Sequence, residues 1–257
     1  MSVVLKSSAE IALMRKANLV VYDVLSHLRE LVRPGITTIR LDGVARELCE
    51  KAGAKPAFLG YPSGHSGVAA FPGTICASVN QAIVHGIPDD RPLEEGDIVS
   101  IDFGCSIGGY FGDSATTVAV GEVDTKTAKL LEVTERSLYE AIKQCYPGKR
   151  LGDIGNAVQT LVEANGFGIV KEFVGHGIGS SMHEPPHVPN YGSAGTGRLL
   201  RAGMVLAIEP MVTMGNPGAK ILSDGWTAVT KDGSLAAHFE HTVAITDCGP
   251  VVLSRPV

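Results

Sequence analysis

The chain lacks closely spaced cysteines, apolar runs of membrane-spanning length and any excess of positive charge. Its five cysteines, Cys49, Cys76, Cys105, Cys145 and Cys248, are odd in number and scattered, with no Cys-x-x-Cys pair. That pattern argues against a disulfide framework and a thiolate zinc site, and for a reducing compartment, the cytoplasm. The longest apolar stretches fall far short of the roughly 20 residues of a membrane helix, so no membrane partner is expected. The start, Met-Ser-Val-Val-Leu-Lys, has no charged stretch followed by an apolar one, as a secretory signal would. A net charge of -5 leaves no basic footprint and argues against a nucleic-acid partner.

What is present is an ordinary globular balance, 44% hydrophobic and 19% charged over 257 residues, enough for a substantial core. Ser7-x-x-Glu10 reads as a capping box. Behind it Ile11, Met14, Leu19, Val21, Val24, Leu25, Leu28 and Leu31 recur at roughly helical spacing, until Pro34-Gly35 ends the helix. A second helix carries Leu41, Val44, Ala45, Leu48 and Cys49 and closes at Gly53. The plan then returns. A helix from about Thr127 to Cys145 ends at Pro147-Gly148, and another carries Ile154, Ala157, Val158, Leu161 and Val162 as far as Gly166. Pro34 falls on Pro147, Leu41 on Ile154, Leu48 on Leu161, Glu50 on Glu163 and Gly53 on Gly166 at one constant offset. So many coincidences indicate two related halves, about 8–120 and 121–247, in one domain spanning 1–257.

The strands repeat as well. Gly96-Asp-Ile-Val-Ser-Ile-Asp102 matches Gly203-Met-Val-Leu-Ala-Ile-Glu209, and each strand is expected to end at its acid. Thr117-Val-Ala-Val120 resembles Thr242-Val-Ala-Ile245, each preceded by an acid, Asp113 or Glu240. Those two acids are two positions out of register, one strand period, so they point to the same face. The expected fold is α/β: helices outside a curved, mostly antiparallel sheet with internal pseudo-two-fold symmetry.

If an axis relates the halves, Asp102, Asp113, Glu209 and Glu240 meet near it. Four facing carboxylates repel, and divalent cations remove that repulsion. His176 and His183 lie in Gly-His-Gly-Ile-Gly-Ser-Ser-Met-His-Glu-Pro-Pro, a stretch too rich in glycine and proline for a helix. On their own the two histidines fit either a metal site or a polar surface turn. Beside four carboxylates, one imidazole at His176 makes a mixed N/O donor set suited to Mn, Fe or Co at least as well as Zn.

Ile-Asp-Phe-Gly, Gly-Asp-Ser, Gly-His-Gly-Ile-Gly, Ile-Glu-Pro-Met and Phe-Glu-His-Thr, in that order, closely resemble the motifs of methionine aminopeptidase, of the pita-bread metallopeptidase fold. Asn80-x-x-x-x-His85-Gly-Ile-Pro and Asp224-Gly-Trp226-Thr match too, and the resemblance runs over nearly the whole chain. Glu209 and Glu240 are close in sequence, which fits the short type I form of bacteria and organelles. The resemblance implies removal of the initiator methionine from nascent chains, near the ribosome, when the second residue is small. It implies a monomer with two divalent cations (Co, Mn, Fe or Zn) that activate the attacking water. Asp102 would hold one cation, His176 and Glu209 the other, and Asp113 and Glu240 would bridge. Glu209 would also be the general base, His183 would stabilise the oxyanion, and His85 would contact the scissile amide. Tyr61, Phe71, Cys76 and Trp226 would line the methionine pocket. The start Met1-Ser2 fits the same substrate rule.

Two features depart from the pattern. Pro62 to Ala70 is several residues longer than the usual bacterial loop, which suggests a lid-like element beside the pocket. Met182 stands where an aromatic is common, which leaves the pocket wall open. His65 and His187 are expected on the surface, and His238 and His241 flank Glu240 without being required as ligands. Aminopeptidase P and prolidase share the fold and the five ligands but cleave next to proline and carry an extra N-terminal domain. A non-catalytic binding protein on the same fold is the other alternative, though such relatives typically lose ligands.

Overall fold

A computed structural model describes residues 3–64 and 66–256. Met1-Ser2 and His65, each the subject of an expectation above, lie outside the described residues.

Four helices appear where periodicity and caps place them. Helix α1, Ser8–Leu31, starts at Ser7, whose hydroxyl accepts from the Glu10 amide while the Glu10 carboxylate accepts from the Ser7 amide at 2.7 Å. Met14, Ala17, Val21, Val24, Leu25 and Leu28 form its buried stripe. Replacing Ser7 by Ala removes half of this box, and the expected cost is about 1 kcal/mol. In urea unfolding this should lower the midpoint without changing the slope.

Helix α2 is Thr38–Lys51, α3 is Thr125–Ile142 and α4 is Leu151–Ala164. Helix α3 begins two residues before the expected start, because the Asp124 carboxylate accepts from the amides of both Lys126 and Thr127. Gly35, Gly53, Gly148 and Gly166, the repeated helix stops, all have positive φ, which other L residues adopt only at a cost.

Nine strands among the described residues form one antiparallel sheet. Its main path runs Lys55–Pro56, Ile98–Ile107, Tyr110–Ala119, Glu240–Thr246, Val205–Ile208, Gly175–Gly177, Glu184–Val188. Helices α1 and α2 cover one end, where Val21, Leu28, Leu41 and Val44 pack on Val99, Ile101 and Phe103. Helices α3 and α4 cover the other, with Leu130, Val133, Ile154 and Val158 on Leu206, Ile208 and Val243. The two packed ends meet where Glu240 pairs with Ala115 and His241 with Ser114.

One strand expectation is corrected. Val205–Ile208 stops just before Glu209, but Ile98–Ile107 does not end at Asp102. It continues for five residues, because Phe103 to Ile107 keep pairing with Tyr110 to Ser114 across the Gly108-Gly109 turn. Asp102 is therefore a mid-strand residue.

Candidate metal centre

Strand register brings the acids together. Ala115 lies opposite Asp102 on one side and opposite Glu240 on the other, so these three share a row and a face. Asp113, two residues from Ala115, points to the same face. In the next row Ala207 lies opposite Thr242 and His176. Glu209 follows Ala207 by two residues, so it too turns toward the group. Gly175 brings the His176 strand this close, since a Cβ there would overlap the Ala207 carbonyl.

One oxygen each of Asp113 and Glu240 and one nitrogen of His176 lie within 4.8 Å of one another. His176 Nε2 is 3.7 Å from Glu209 Oε1 and 3.8 Å from Asp113 Oδ2. Its Nδ1 is 2.9 Å from the Gly177 carbonyl. A carbonyl only accepts, so Nδ1 carries the proton and Nε2 faces the acids with its lone pair. Burial holds the imidazole neutral by lowering its pKa to about 3.

The acids are in the opposite condition. Burial raises Asp102 to about 7 and Glu209 to about 8. Asp113 and Glu240 are pushed well above the carboxylate range, first by burial and then by the neighbouring carboxylates. Asp102 Oδ1, Asp113 Oδ1 and Glu240 Oε1 are buried without a hydrogen-bond partner. Unpartnered oxygens of this kind are costly to bury, and a divalent cation satisfies them. The donor set, carboxylate oxygens plus one imidazole, fits Mn, Fe, Co or Zn.

These groups floor a cavity of about 700 Å³, and every sequence-predicted site residue lines it. Tyr61, Phe71, Cys76 and Trp226 form an apolar wall with Phe58. The Tyr61 hydroxyl is 2.6 Å from His183 Nδ1, and the Phe71 and Trp226 rings meet edge to face at 5.2 Å. His85, with a positive φ of 59°, stacks edge-on against Phe173 and is kept neutral by burial, its pKa lowered to about 4.

Several contributors were not legible beforehand. Phe58 and Phe173 line the cavity from segments without a motif, and Met211 lines it from the Ile-Glu-Pro-Met stretch, where the motif marks only the acid. Lys6 reaches beneath the His183 loop, where its buried ammonium pairs with the Glu184 carboxylate. Glu184 also accepts from the Ser181 amide, and the Lys6 amide donates to the Gly203 carbonyl. Met182 is buried against Phe58 and Ile178 and does not line the cavity, so it supports the wall from behind. His187 is exposed at the cavity rim. His241 turns away to Tyr139 and Ser254, whereas His238 is buried beside Glu209. In the long loop, Val68 packs over Gly225 and the Ala69 carbonyl accepts from Trp226 Nε1 at 3.0 Å.

A curled antiparallel sheet with outer helices and a buried acid–imidazole centre defines a pita-bread metallopeptidase. The model of metallopeptidase family M24 matches residues 12–247, and the chain belongs to that family. Methionine aminopeptidase of Clostridium perfringens is 49% identical over 98% of both chains. Methionine aminopeptidase 1 of Bacillus subtilis is 47% identical over 98% of this chain and 99% of its own. The crystal structure of methionine aminopeptidase from Thermotoga maritima superposes with a TM-score of 0.95 at 43% identity, covering 99% of this chain and 100% of that one. Within the family, then, the chain is of the methionine aminopeptidase kind, a metal-dependent hydrolase that removes N-terminal methionine.

Proposed function

We propose that Asp102, Asp113, His176, Glu209 and Glu240 would hold two divalent cations, Asp102 serving one, His176 and Glu209 the other, and Asp113 and Glu240 both. The observation that carries this reading is the row of buried, unpartnered carboxylate oxygens at the cavity floor. Bound cations supply Lewis acidity toward the scissile carbonyl and lower the pKa of the attacking water. Glu209, its carboxylate buried beside the centre, would be the group to accept a proton from the attacking water. If Tyr61 donates its hydroxyl proton to His183 Nδ1, His183 Nε2 carries hydrogen and donates to the tetrahedral oxyanion. His85 contacts the scissile amide. The methionine side chain lies against Tyr61, Phe71, Cys76 and Trp226, where aromatic edges and a thiol suit a thioether.

The substrates are nascent chains with a small second residue, met near the ribosome by a cytoplasmic monomer. No helix among the described residues is long and apolar enough to cross a membrane. Residues 1–257 form one catalytic domain of two repeated halves, a reading supported by the shared glycine stops and by ligands drawn from both halves.

The test is a competition between Met-Ala-Ser and Ala-Pro-Ala with protein reconstituted in turn with Mn, Fe, Co and Zn. Free methionine with Ala-Pro-Ala untouched supports the reading. Cleavage before proline would leave the ligands standing and overturn the substrate, and no cleavage with any metal would favour a binding protein. A second prediction concerns the loop. Its contacts to Gly225 and Trp226 place it against the pocket wall, so deleting residues 63–69 should raise KM for Met-Ala-Ser about tenfold, the loss of about 1.4 kcal/mol of binding. Unchanged kinetics and unchanged inhibitor affinity would make it an ornament.

A further inference from the structure

Glu209 stands between two imidazoles. His176 Nε2 is 3.7 Å from Oε1, and His238 Nε2 is 3.5 Å from Oε2. The first is the expected ligand. The second belongs to a side chain that neither the motifs nor the proposed chemistry uses. His238 is only 1% exposed, and its Nε2 has no hydrogen-bond partner. A core histidine of purely structural use would have that nitrogen satisfied.

The His238 backbone is fixed. Its amide donates to Thr117 Oγ1 at 2.9 Å, and the Thr117 hydroxyl donates to its carbonyl at 2.8 Å. With its one proton so used, Thr117 Oγ1 can only accept from Ser100 Oγ, 2.8 Å away. The strand Ala236–His238 also pairs with Met211–Thr213, which places His238 opposite Met211, two residues after Glu209. On the other side, Asn190 Nδ2 donates to the Glu209 carbonyl at 2.9 Å. Both backbones are held, so the gap between Nε2 and Oε2 closes by small side-chain rotation alone. Such contacts are commonly long before a site is loaded.

The tautomer follows from the neighbours. With metal bound and Glu209 ionised, a lone pair on His238 Nε2 facing its carboxylate oxygen would be repelled, whereas an N–H there is attracted. His176 has the reverse arrangement, because its Nδ1 proton is committed to the Gly177 carbonyl.

We propose that His238 is a positioning residue for Glu209. Its Nε2–H donates to Glu209 Oε2, which turns Oε1 toward His176 and fixes the carboxylate for both metal holding and proton acceptance. The proposal rests on the roles given to Glu209 above. Residues that orient a ligand in this way typically change metal affinity or activity by about 10- to 100-fold when lost.

The experiment uses the full chain as His238→Leu, His238→Gln and Glu209→Gln. Affinity of the metal-free proteins for Mn is measured by competition with a chelating indicator, alongside kcat and KM for Met-Ala-Ser. The expected result is about 10- to 100-fold weaker Mn binding in His238→Leu, with kcat reduced more than KM is raised. His238→Gln, which keeps an N–H donor, should recover most of the loss. In the parent loaded with Zn, ¹⁵N-histidine spectra should show a proton on Nε2 of His238, assigned by its disappearance in His238→Gln. An unprotonated Nε2 would overturn the proposal, even if His238→Leu does not fold, and so would a folded His238→Leu with parental affinity and kcat. Full activity in Glu209→Gln would instead overturn the role of Glu209 itself.

Discussion

An Asp113→Asn protein is expected to fold, to bind divalent metal weakly and to release methionine from Met-Ala-Ser at about one-thousandth of the parental rate. Asp113 is 3% exposed, lies 3.8 Å from His176 Nε2 and belongs to the tightest donor group of the cavity floor. The change keeps shape and volume and removes one negative charge and one strong acceptor. The fold survives because the strand pairing around position 113 is made by backbone. Activity should not, because bound divalent metal supplies several kilocalories per mole of transition-state stabilisation, and each 1.4 kcal/mol is about tenfold in rate. Metal titration, far-ultraviolet circular dichroism and turnover on the same sample check all three parts. Parental metal affinity together with parental turnover would remove Asp113 from the centre.

Stripping the metal makes the protein's stability fall as pH rises from about 4 to about 8, the span between ordinary carboxylates and the raised pKa of Glu209. The sign follows from the burial that raises Asp102 to about 7 and Glu209 to about 8, and lifts Asp113 and Glu240 further. In the folded, metal-free chain these acids keep their protons at pH values where the unfolded chain has lost them. Their contribution is fully present below about pH 4 and is lost as pH climbs through the raised values. Several kilocalories per mole are at stake, a large part of a typical folding free energy. Metal reverses the dependence, because cation binding displaces the protons. Thermal melts at pH 5, 6, 7 and 8, with and without Mn, measure this. The gap between loaded and stripped protein should widen with pH, and calorimetry should detect proton release on loading. A gap independent of pH would mean that these carboxylates are already ionised in the empty site.

What the sequence made legible was whatever repeats or caps. Ser7 and Glu10 announced α1, and the glycine stops, repeated at one offset, announced the paired helices. The four acids were legible because the repeat set them at equivalent points of the two halves, and His176 because one imidazole beside four carboxylates completes a mixed donor set. Asp102 at mid-strand was not, since Phe103-Gly-Cys-Ser-Ile continues the strand only by pairing with Tyr110 to Ser114. Phe58, Phe173 and Met211 could not be read as cavity walls, because an apolar residue in sequence does not say which apolar surface it joins. Lys6 and Glu184 are 178 positions apart, and His238 is set beside Glu209 by a strand pair, so neither relationship leaves a local trace.

The buried pair of Lys6 and Glu184 has a practical corollary for handling the polypeptide. The short segment around Lys6 acts as a wedge under the His183 loop, seated by the Gly203 carbonyl and closed off by a glycine at 179 that leaves room for the lysine stem. Withdrawing the wedge leaves a carboxylate uncompensated directly behind the residue assigned to the oxyanion. Replacing Lys6 by Met, or a fusion junction that strains this segment, would therefore be expected to impair the enzyme from its reverse side with the five proposed metal ligands intact.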